Sequence, residues 1–193
     1  MIFEVLVALL IILIIYRKKI IKIADIPLRY PLVIFLSFAL QFSIVYFGGK
    51  EVNFFLEYGS VIYVASFLLL FWALYHNLHI PGMKIVFTGI FCNFMAITMN
   101  GGAMPVSSAA LRTAGLNSLL NTLAKGLWPT HQLMSQADNL LARVFGDFIP
   151  IPPPHPRPRV ISIGDIIMTV GIIVVMVMAV RSKGESPAVV EES

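Results

Sequence analysis

The chain has 193 residues, of which 58% are hydrophobic and only 12% are charged. In soluble domains about a quarter of all residues are charged. The composition of this chain therefore excludes an ordinary soluble domain and predicts a protein of the lipid bilayer. The formal net charge is +4, but the basic residues do not build a basic face with interleaved aromatic residues. Nucleic acid is therefore not an expected partner, whereas membrane lipids are.

Five apolar stretches along the chain predict about five transmembrane helices. A helix needs about 20 apolar residues to cross the hydrocarbon core of a bilayer. The stretches cover residues 2–16, 31–47, 58–75, 85–99 and 161–180. The predicted fold class is therefore an all-α integral membrane protein with an extracytoplasmic cap of short helices and a Pro-rich loop.

These stretches divide the chain into four parts. Residues 1–99 hold four predicted transmembrane helices with short loops, and residues 100–160 form the predicted cap. Residues 161–181 hold the fifth predicted helix. Residues 182–193 are polar and acidic, and they are predicted to be a disordered cytoplasmic tail.

Basic residues concentrate between the first two apolar stretches and predict the orientation in the membrane. Loops that stay in the cytoplasm carry an excess of Lys and Arg. The densest cluster here consists of Arg17, Lys18, Lys19, Lys22 and Arg29. We therefore predict a multi-pass protein of the bacterial cytoplasmic membrane, with its N-terminus outside and its C-terminus inside.

The predicted cap combines a leucine-rich part with a proline-rich part. Residues 106–127 place leucines among Ser, Asn and Thr. This pattern predicts one or two short amphipathic helices that lie on the outer membrane surface or pack onto the spans. Residues 149–160 read IPIPPPHPRPRV and predict a stiff polyproline II tether, because so many prolines exclude a helix.

The fourth apolar stretch carries a polar stripe. Gly89, Asn93, Ala96 and Asn100 follow one another at helical spacing, so they share one face of a helix. A buried amide needs a hydrogen-bond partner in hydrocarbon. This face therefore meets another helix, or it borders a cavity that opens toward the outer surface with Asn100 at its rim.

The segment NGGAMPV, residues 100–106, predicts the end of this helix. Asn100 or Gly101 can take the left-handed conformation that ends a helix, and Gly102 allows a tight turn. Pro105 prevents the helix from resuming. We interpret the segment as the hinge between the bilayer and the cap, and therefore as a candidate edge of a binding site.

The segment SIGD, residues 162–165, opens the last apolar stretch with the pattern of a capping box. Ser162 and Asp165 stand three residues apart ahead of an apolar run. In a capping box each of the two side chains accepts a hydrogen bond from the backbone amide of the other. The predicted orientation places this carboxylate at the outer surface, on the side where Asn100 ends its helix.

The predicted cap contains His155 and three further His or Asp residues, namely His131, Asp138 and Asp147. Together with Asp165 they contain the groups for an acid–base pair or a small metal site, and His131, Asp147 and Asp165 are the candidate catalytic residues. The sequence does not bring them together, and solvated turns or helix caps also account for them. No cofactor or dedicated metal site is expected, since Cys92 is the only cysteine and the spaced ligands of such sites are absent.

Five segments of the chain form an ordered set of motifs. They are NGGAMPV (100–106), ALRTAGL (110–116), THQLM (130–134), FGDFIP (145–150) and VISIGDIIMTVGI (160–172). This order resembles a family of small bacterial multi-spanning membrane proteins of unknown function, although residues 135–144 depart from its pattern. The matching residues are Asn93, Asn100, Gly101, Gly102, Met104, Pro105, His131, Gly146, Asp147, Ser162, Gly164 and Asp165. The resemblance implies a shared architecture with a shaped outer face, and it supplies no activity.

Three functions are compatible with this sequence. The leading hypothesis is a non-catalytic binding or assembly module, with a site for a lipid headgroup, a small ligand or a membrane partner at the outer face. Its candidate residues are Asn93, Asn100, Gly101, Gly102, Pro105, Asp147, Ser162 and Asp165. One alternative is a membrane-embedded enzyme that uses His/Asp acid–base or metal chemistry on a lipid-linked substrate. The other is a small transporter that acts as a homo-oligomer.

Overall fold

A computed structural model describes residues 2–16, 21–48, 50, 52–128, 130–136 and 140–181 of the chain. Within these residues the chain forms nine α-helices, one short 3-10 helix and four short β-strands. The protein is therefore mostly helical, as its composition predicts. The predicted tail, residues 182–193, lies outside the described residues.

Five long helices form a bundle. They are α1 (Ile2–Tyr16), α3 (Pro31–Gly48), α4 (Asn53–Tyr75), α5 (Met83–Thr98) and α9 (Ile163–Arg181), with the short α2 (Ile21–Ala24) between the first two. The five apolar stretches are thus confirmed as helices. Among the described residues, two helical segments, Glu57–Tyr75 and Ile163–Arg181, are long and apolar enough to cross a membrane. Five membrane spans remain a prediction.

The closest helix contact in the bundle joins α5 to α9 through glycines. A Cβ atom built on Gly89 would lie 2.6 Å from the Gly164 carbonyl oxygen, and one built on Gly171 would lie 2.5 Å from the Val86 amide nitrogen. Because no side chain separates the two backbones, the helices approach each other over about two turns. Polar groups at one end of this contact therefore come within hydrogen-bond distance.

The remaining long helices pack around this pair. α3 lies along α4, α1 packs on α9, and α4 meets α5. Aromatic rings fill the joint between α4 and α5, where Phe94 lies 5.7 Å from Phe67 and 5.1 Å from Phe71 between ring centroids. The bundle is thus an α3–α4 pair joined through this aromatic contact to a group made of α1, α5 and α9.

The cap is a small folded unit with a core of its own. The strand β1 (Met104–Val106) pairs in parallel with β2 (His131–Leu133), and β3 (Ile149–Ile151) pairs antiparallel with β4 (Arg159–Ile161). The connections hold α6 (Ser108–Thr113), α7 (Asn117–Ala124), a 3-10 helix (Met134–Gln136) and α8 (Leu140–Phe145). The buried core residues of the cap are Val106, Leu111, Leu123 and Leu133.

The structure confirms one expectation for the cap and corrects another. Residues 106–127 contain two short helices, as predicted, and Leu111 and Leu123 are buried in the core of the cap, beside β2 and β4. The proline-rich segment is a hairpin and not a straight tether, because Pro150 pairs with Val160 and the flanking residues complete the two strands. Proline tolerates the extended backbone of a strand at positions where no ladder amide is required.

Substitution of Gly89 by leucine tests the contact between α5 and α9. Leucine forces the two backbones apart, and we expect the free energy of unfolding to fall by at least about 1–3 kcal/mol. Thermal unfolding of the purified protein in detergent measures the change. Thr88→Leu is the matched control, because Thr88 is exposed on the same helix. Equal melting temperatures for the two variants would contradict the packing role of Gly89.

Candidate functional site

Three polar side chains join α5 to α9 at the end of the bundle nearest the cap. Asn93 Nδ2 donates to Asp165 Oδ1 over 2.9 Å, and Asn93 Oδ1 accepts from Ser162 Oγ over 2.7 Å. Ser162 Oγ also accepts from the Asp165 amide over 2.9 Å, and Asp165 Oδ2 accepts from the Ser162 amide over 3.3 Å. The capping box predicted from SIGD is present, and Asn93 is tied into it.

Gly164 makes room for this network. A Cβ atom at Gly164 would overlap the carboxamide oxygen of Asn93. Ser162 is fully buried, and Asn93 and Asp165 are half-buried. The polar face predicted for the fourth apolar stretch therefore meets α9 at Asn93, in a contact that only a glycine in the first turn of α9 permits.

Backbone hydrogen bonds fix Asp147 beside β1. The Asp147 amide donates to the Pro105 carbonyl, and the Ser107 amide donates to the Asp147 carbonyl, each over 2.8 Å. Gly146 allows this approach, since a Cβ atom there would lie 2.5 Å from the Pro105 carbonyl oxygen. The motifs NGGAMPV and FGDFIP thus meet directly in the folded chain.

The same strand positions His131 on its other side. Met104 lies opposite His131 in the parallel pairing, and the Met104 amide donates to the Thr130 carbonyl over 2.8 Å. The imidazole Nδ1 of His131 lies 2.9 Å from Thr130 Oγ1, and its Nε2 lies 3.8 Å from Asp147 Oδ2. The latter distance allows an electrostatic interaction but exceeds a hydrogen bond.

These side chains converge on one small space, which we call the polar cavity. Its volume is about 110 Å³. The polar residues that line it are Tyr63, Asn93, His131, Asp147 and Asp165, and the apolar ones are Phe67, Ile97 and Met104. The structure therefore brings together the three candidate catalytic residues. Sequence reasoning missed Tyr63, because a single tyrosine in an apolar helix belongs to no pattern that marks it.

Asp147 is the most strongly perturbed carboxyl group of the polar cavity. Only 8% of the residue is exposed, and its carboxylate accepts no hydrogen bond from the residues that the structure describes. Burial raises its pKa well above the usual 3.8, and the nearby Asp165 carboxylate raises the pKa further. An uncompensated negative charge at this position is therefore costly.

His131 does not supply the missing positive charge at neutral pH. Burial lowers its pKa from 6.5 to about 4, so the imidazole is neutral at pH 7. One third of its side chain, 33%, remains exposed, and His131 lines two spaces. The second of these, the cap cavity of about 220 Å³, is also lined by Asp147 and Arg159. His131 and Asp147 thus form a wall between the polar cavity and the cap cavity.

The predicted site residues at the end of α5 shape the backbone and do not line the polar cavity. Gly101 and Gly102 have φ angles of +66° and +95°, and the Gly102 amide donates to the Ile97 carbonyl over 2.8 Å. This bond closes the helix end. Asn100 is not left-handed, and its Nδ2 donates to the Ala103 carbonyl over 2.7 Å. Asn100 therefore stabilises the turn instead of forming the rim of the cavity.

One other predicted site residue, Pro105, also differs from its expected role, and Asp138 is not tested. Pro105 contributes its carbonyl to the positioning of Asp147 rather than its side chain to the cavity. Asp138 lies outside the described residues. Within the described ranges, no group of three or more His, Cys, Asp and Glu side chains is arranged to hold a metal ion.

The fold and the cavity define a helical protein whose two longest apolar helices have the length and composition of membrane spans. Residues 25–177 match a family of unknown function, DUF5317, and the chain belongs to this family. An uncharacterized protein of Thermotoga maritima is 31% identical over 140 residues, which cover 72% of this chain and 76% of that protein. No solved structure matches the chain. Recognition of an uncharacterised family is thus confirmed, and its membrane character remains a prediction.

Removal of the Asn93 side chain tests the hydrogen-bond network between α5 and α9. Asn93→Ala leaves Ser162 and Asp165 without their partner on α5, and we expect the free energy of unfolding to fall by about 1–3 kcal/mol. Unfolding by heat or denaturant in detergent measures this loss. Asn121→Ala on the exposed surface of α7 is the control, and it should change stability little. A loss no larger than that of the control would show that the network does not stabilise the fold.

The pH dependence of stability tests the burial of Asp147. The folded-state pKa lies above the unfolded value of 3.8, so wild type loses stability as pH rises from below 3.8 through the folded pKa. Asp147→Asn has no charge to bury. We therefore expect a higher melting temperature than wild type at pH 7, with a difference that shrinks as pH falls toward 4.

The control for this experiment is Asp25→Asn, because Asp25 is exposed. Its melting temperature should follow that of wild type at every pH. An Asp147→Asn protein that is less stable than wild type at pH 7 would show that the carboxylate is compensated in the folded state.

Proposed function

We propose that this chain is a non-catalytic binding module of the bacterial cytoplasmic membrane, and that its polar cavity binds a small positively charged group. The observation that carries the proposal is the Asp147 carboxylate, which lines the cavity with 8% exposure and accepts no hydrogen bond from the described residues. A buried charge destabilises a protein unless it is paired. A bound cation supplies that pair.

The other walls of the polar cavity support the same assignment. Asp165 adds a second carboxylate, and Tyr63 and Phe67 add aromatic rings, whose faces attract cations. No Lys or Arg is among the described residues that line the cavity. The volume of about 110 Å³ holds only a few water-sized groups, since a water molecule occupies about 30 Å³ in the liquid. An ammonium group fits this space, whereas a large substrate does not.

Acid–base catalysis is the second candidate, and the pair of His131 and Asp147 is the observation that favours it. A neutral imidazole next to a carboxyl group of raised pKa is a common arrangement for proton transfer. Two observations favour binding instead. The pair is separated by 3.8 Å, and the Ser162 hydroxyl, whose partners line the cavity, is already bonded to Asn93 over 2.7 Å and to the Asp165 amide over 2.9 Å.

Placement in the membrane is part of the proposal and is supported by exposed apolar surface. Large apolar side chains on α3 and α4 are among the most exposed of the bundle, for example Leu32 at 79% and Phe35 at 72%. Surfaces of this kind require lipid or a partner. The polar cavity lies at the C-terminal end of α5 and the N-terminal end of α9, and the basic residues 17–29 precede α3. With these basic residues in the cytoplasm, the cavity faces the outside.

Ethylammonium is a probe for the proposed cation site. A ligand that binds only the folded state raises the melting temperature. We expect ethylammonium chloride to stabilise the wild-type protein in detergent at pH 7 more than sodium chloride at the same concentration does. Asp147→Asn and Asp165→Asn should each weaken the apparent affinity about tenfold or more, which corresponds to about 1.4 kcal/mol. Asp25→Asn should bind as wild type does.

The pH dependence of this binding separates the two candidate functions. The cation competes with the proton on Asp147, so its affinity should rise as pH rises. Wild-type protein that gains no more stability from ethylammonium than from sodium would overturn the proposed cation site. Turnover of a lipid phosphate that depends on His131 would favour the enzymatic alternative instead.

A further inference from the structure

A second space, which we call the apolar cleft, runs along the bundle between α3 and α9. Its volume is about 610 Å³, and every described residue that lines it is apolar. Leu70 on α4 and Ile90 on α5 form part of its floor and are only 2% and 4% exposed, whereas Phe38 on α3 is 49% exposed. The cleft therefore has a buried floor and reaches the apolar outer surface of the bundle at α3.

The apolar cleft begins one helical turn away from the polar cavity. On each of three helices, residues three positions apart line the two spaces, namely Phe67 and Leu70 on α4, Asn93 and Ile90 on α5, and Asp165 and Met168 on α9. Three residues of an α-helix advance about 4.5 Å. The two spaces are thus stacked along the bundle axis, with the polar one at the end nearest the cap.

The length of this stack is close to that of one lipid hydrocarbon chain. From Asp165 to Met176, which lines the far part of the cleft, α9 rises about 16 Å at about 1.5 Å per residue. The hydrocarbon of one leaflet is about 15 Å thick. Met168 lines the cleft at the end nearest the polar cavity, where it belongs to the same buried cluster as Phe67 and Ile90. Its side chain is flexible and can adapt to an occupant. An extended hydrocarbon chain therefore matches the cleft in length, and a shift of Met168 would open the cleft to the polar cavity.

The segment that precedes α3 lines the far end of the cleft. The Arg29 amide donates to Asn77 Oδ1 over 2.7 Å, and Asn77 Nδ2 donates back to the Arg29 carbonyl over 2.8 Å. This pair of bonds holds the segment against the end of α4, where Ile26 and Leu28 line the cleft. The segment before α3 is thus a fixed part of the cleft lining at this end.

We propose that the polar cavity and the apolar cleft form one site for a membrane lipid with an ammonium headgroup, whose ammonium lies in the polar cavity and one of whose hydrocarbon chains lies in the apolar cleft. Asp147 and Asp165 select the cation, and the apolar walls select the chain. A soluble amine would leave the cleft empty, and a neutral hydrocarbon would leave Asp147 unpaired. The assignment of the ammonium group to the polar cavity rests on the proposed function. The assignment of the hydrocarbon chain to the apolar cleft extends it.

A photoreactive alkylammonium tests the chain end of the site. The probe carries a diazirine near the end of a straight chain of about twelve carbons, which spans about one leaflet. It is added to the full chain in nanodiscs of phosphatidylglycerol, a lipid without an ammonium group, and the labelled residues are located by mass spectrometry. We expect labelling at the cleft residues Met83, Val175 and Met176, and at least fivefold less at Val170 and Met178, which are exposed on the outer face of α9.

Two variants on α9 form a matched pair for this experiment. Ile172→Phe fills the cleft and should reduce labelling of Met176 at least fivefold, whereas Ile166→Phe adds the same ring on the exposed face and should not. Because both variants are labelled with the same probe, the amount of probe that partitions into the bilayer is the same in both and does not affect the comparison. Ala24→Phe at the far end of the cleft provides a second filled variant in case Ile172→Phe does not fold.

The outcomes for the two ends of the site are distinguishable. Labelling that is equal at Val170 and Met176, or unchanged by both filled variants, would overturn the lipid site even if ethylammonium binds. Labelling of the cleft by the corresponding alkyl alcohol to the same extent, unaffected by Asp147→Asn, would overturn the ammonium assignment. Loss of cleft labelling in both Asp147→Asn and Ile172→Phe, with cooperative melting curves that show both variants to be folded, is the result that the proposal requires.

Discussion

The direct contact between the backbones of α5 and α9 is the constraint on which the rest of the site depends. Packed helices ordinarily lie about 8–10 Å apart, because side chains fill the space between them. Gly89 and Gly164 remove those side chains at the point where Asn93 must reach Ser162 and Asp165. In lipid, where helices gain little from hydrophobic association, such small-residue contacts and interhelical hydrogen bonds hold a bundle together. Stability and site geometry therefore have the same origin here.

The cap supplies the other part of the polar cavity through a single short strand. Although β1 has only three residues, it has His131 paired on one side and Asp147 bonded on the other. Backbone hydrogen bonds thus fix the position of Asp147, whose carboxylate the bundle alone would lack, and such bonds tolerate little displacement. Five of the eight described residues that line the cavity come from helices of the bundle and three from the cap, and for this reason neither part of the chain contains the site by itself.

Local patterns in the sequence were enough to predict the helices, the end of α5 and the capping box. Each of these depends on residues within a few positions of one another, as Ser162 and Asp165 do. The cavity could not be predicted, because it requires β1 to pair with β2 and with Asp147, and such pairings follow from the whole fold. The same limit explains the wrong expectation for residues 149–160: the number of prolines is a local property, while the pairing of Pro150 with Val160 is not. Helical spacing alone predicts that Asn100 lies at the rim of a cavity, yet the helix α5 ends before this residue.

The proline-rich hairpin also has a consequence for the rotation of the last helix. Ile161 pairs with Ile149, and Ser162 follows it directly as the cap of α9, so the strand pairing fixes the angular phase with which α9 begins. Ser162, Gly164 and Asp165 occupy that first turn and must all face α5 or the cavity. Each residue turns a helix by about 100°. One inserted or deleted residue between β4 and α9 would therefore turn all three away together, while leaving the composition of the helix almost unchanged. The hairpin therefore fixes the rotation of α9 about its own axis.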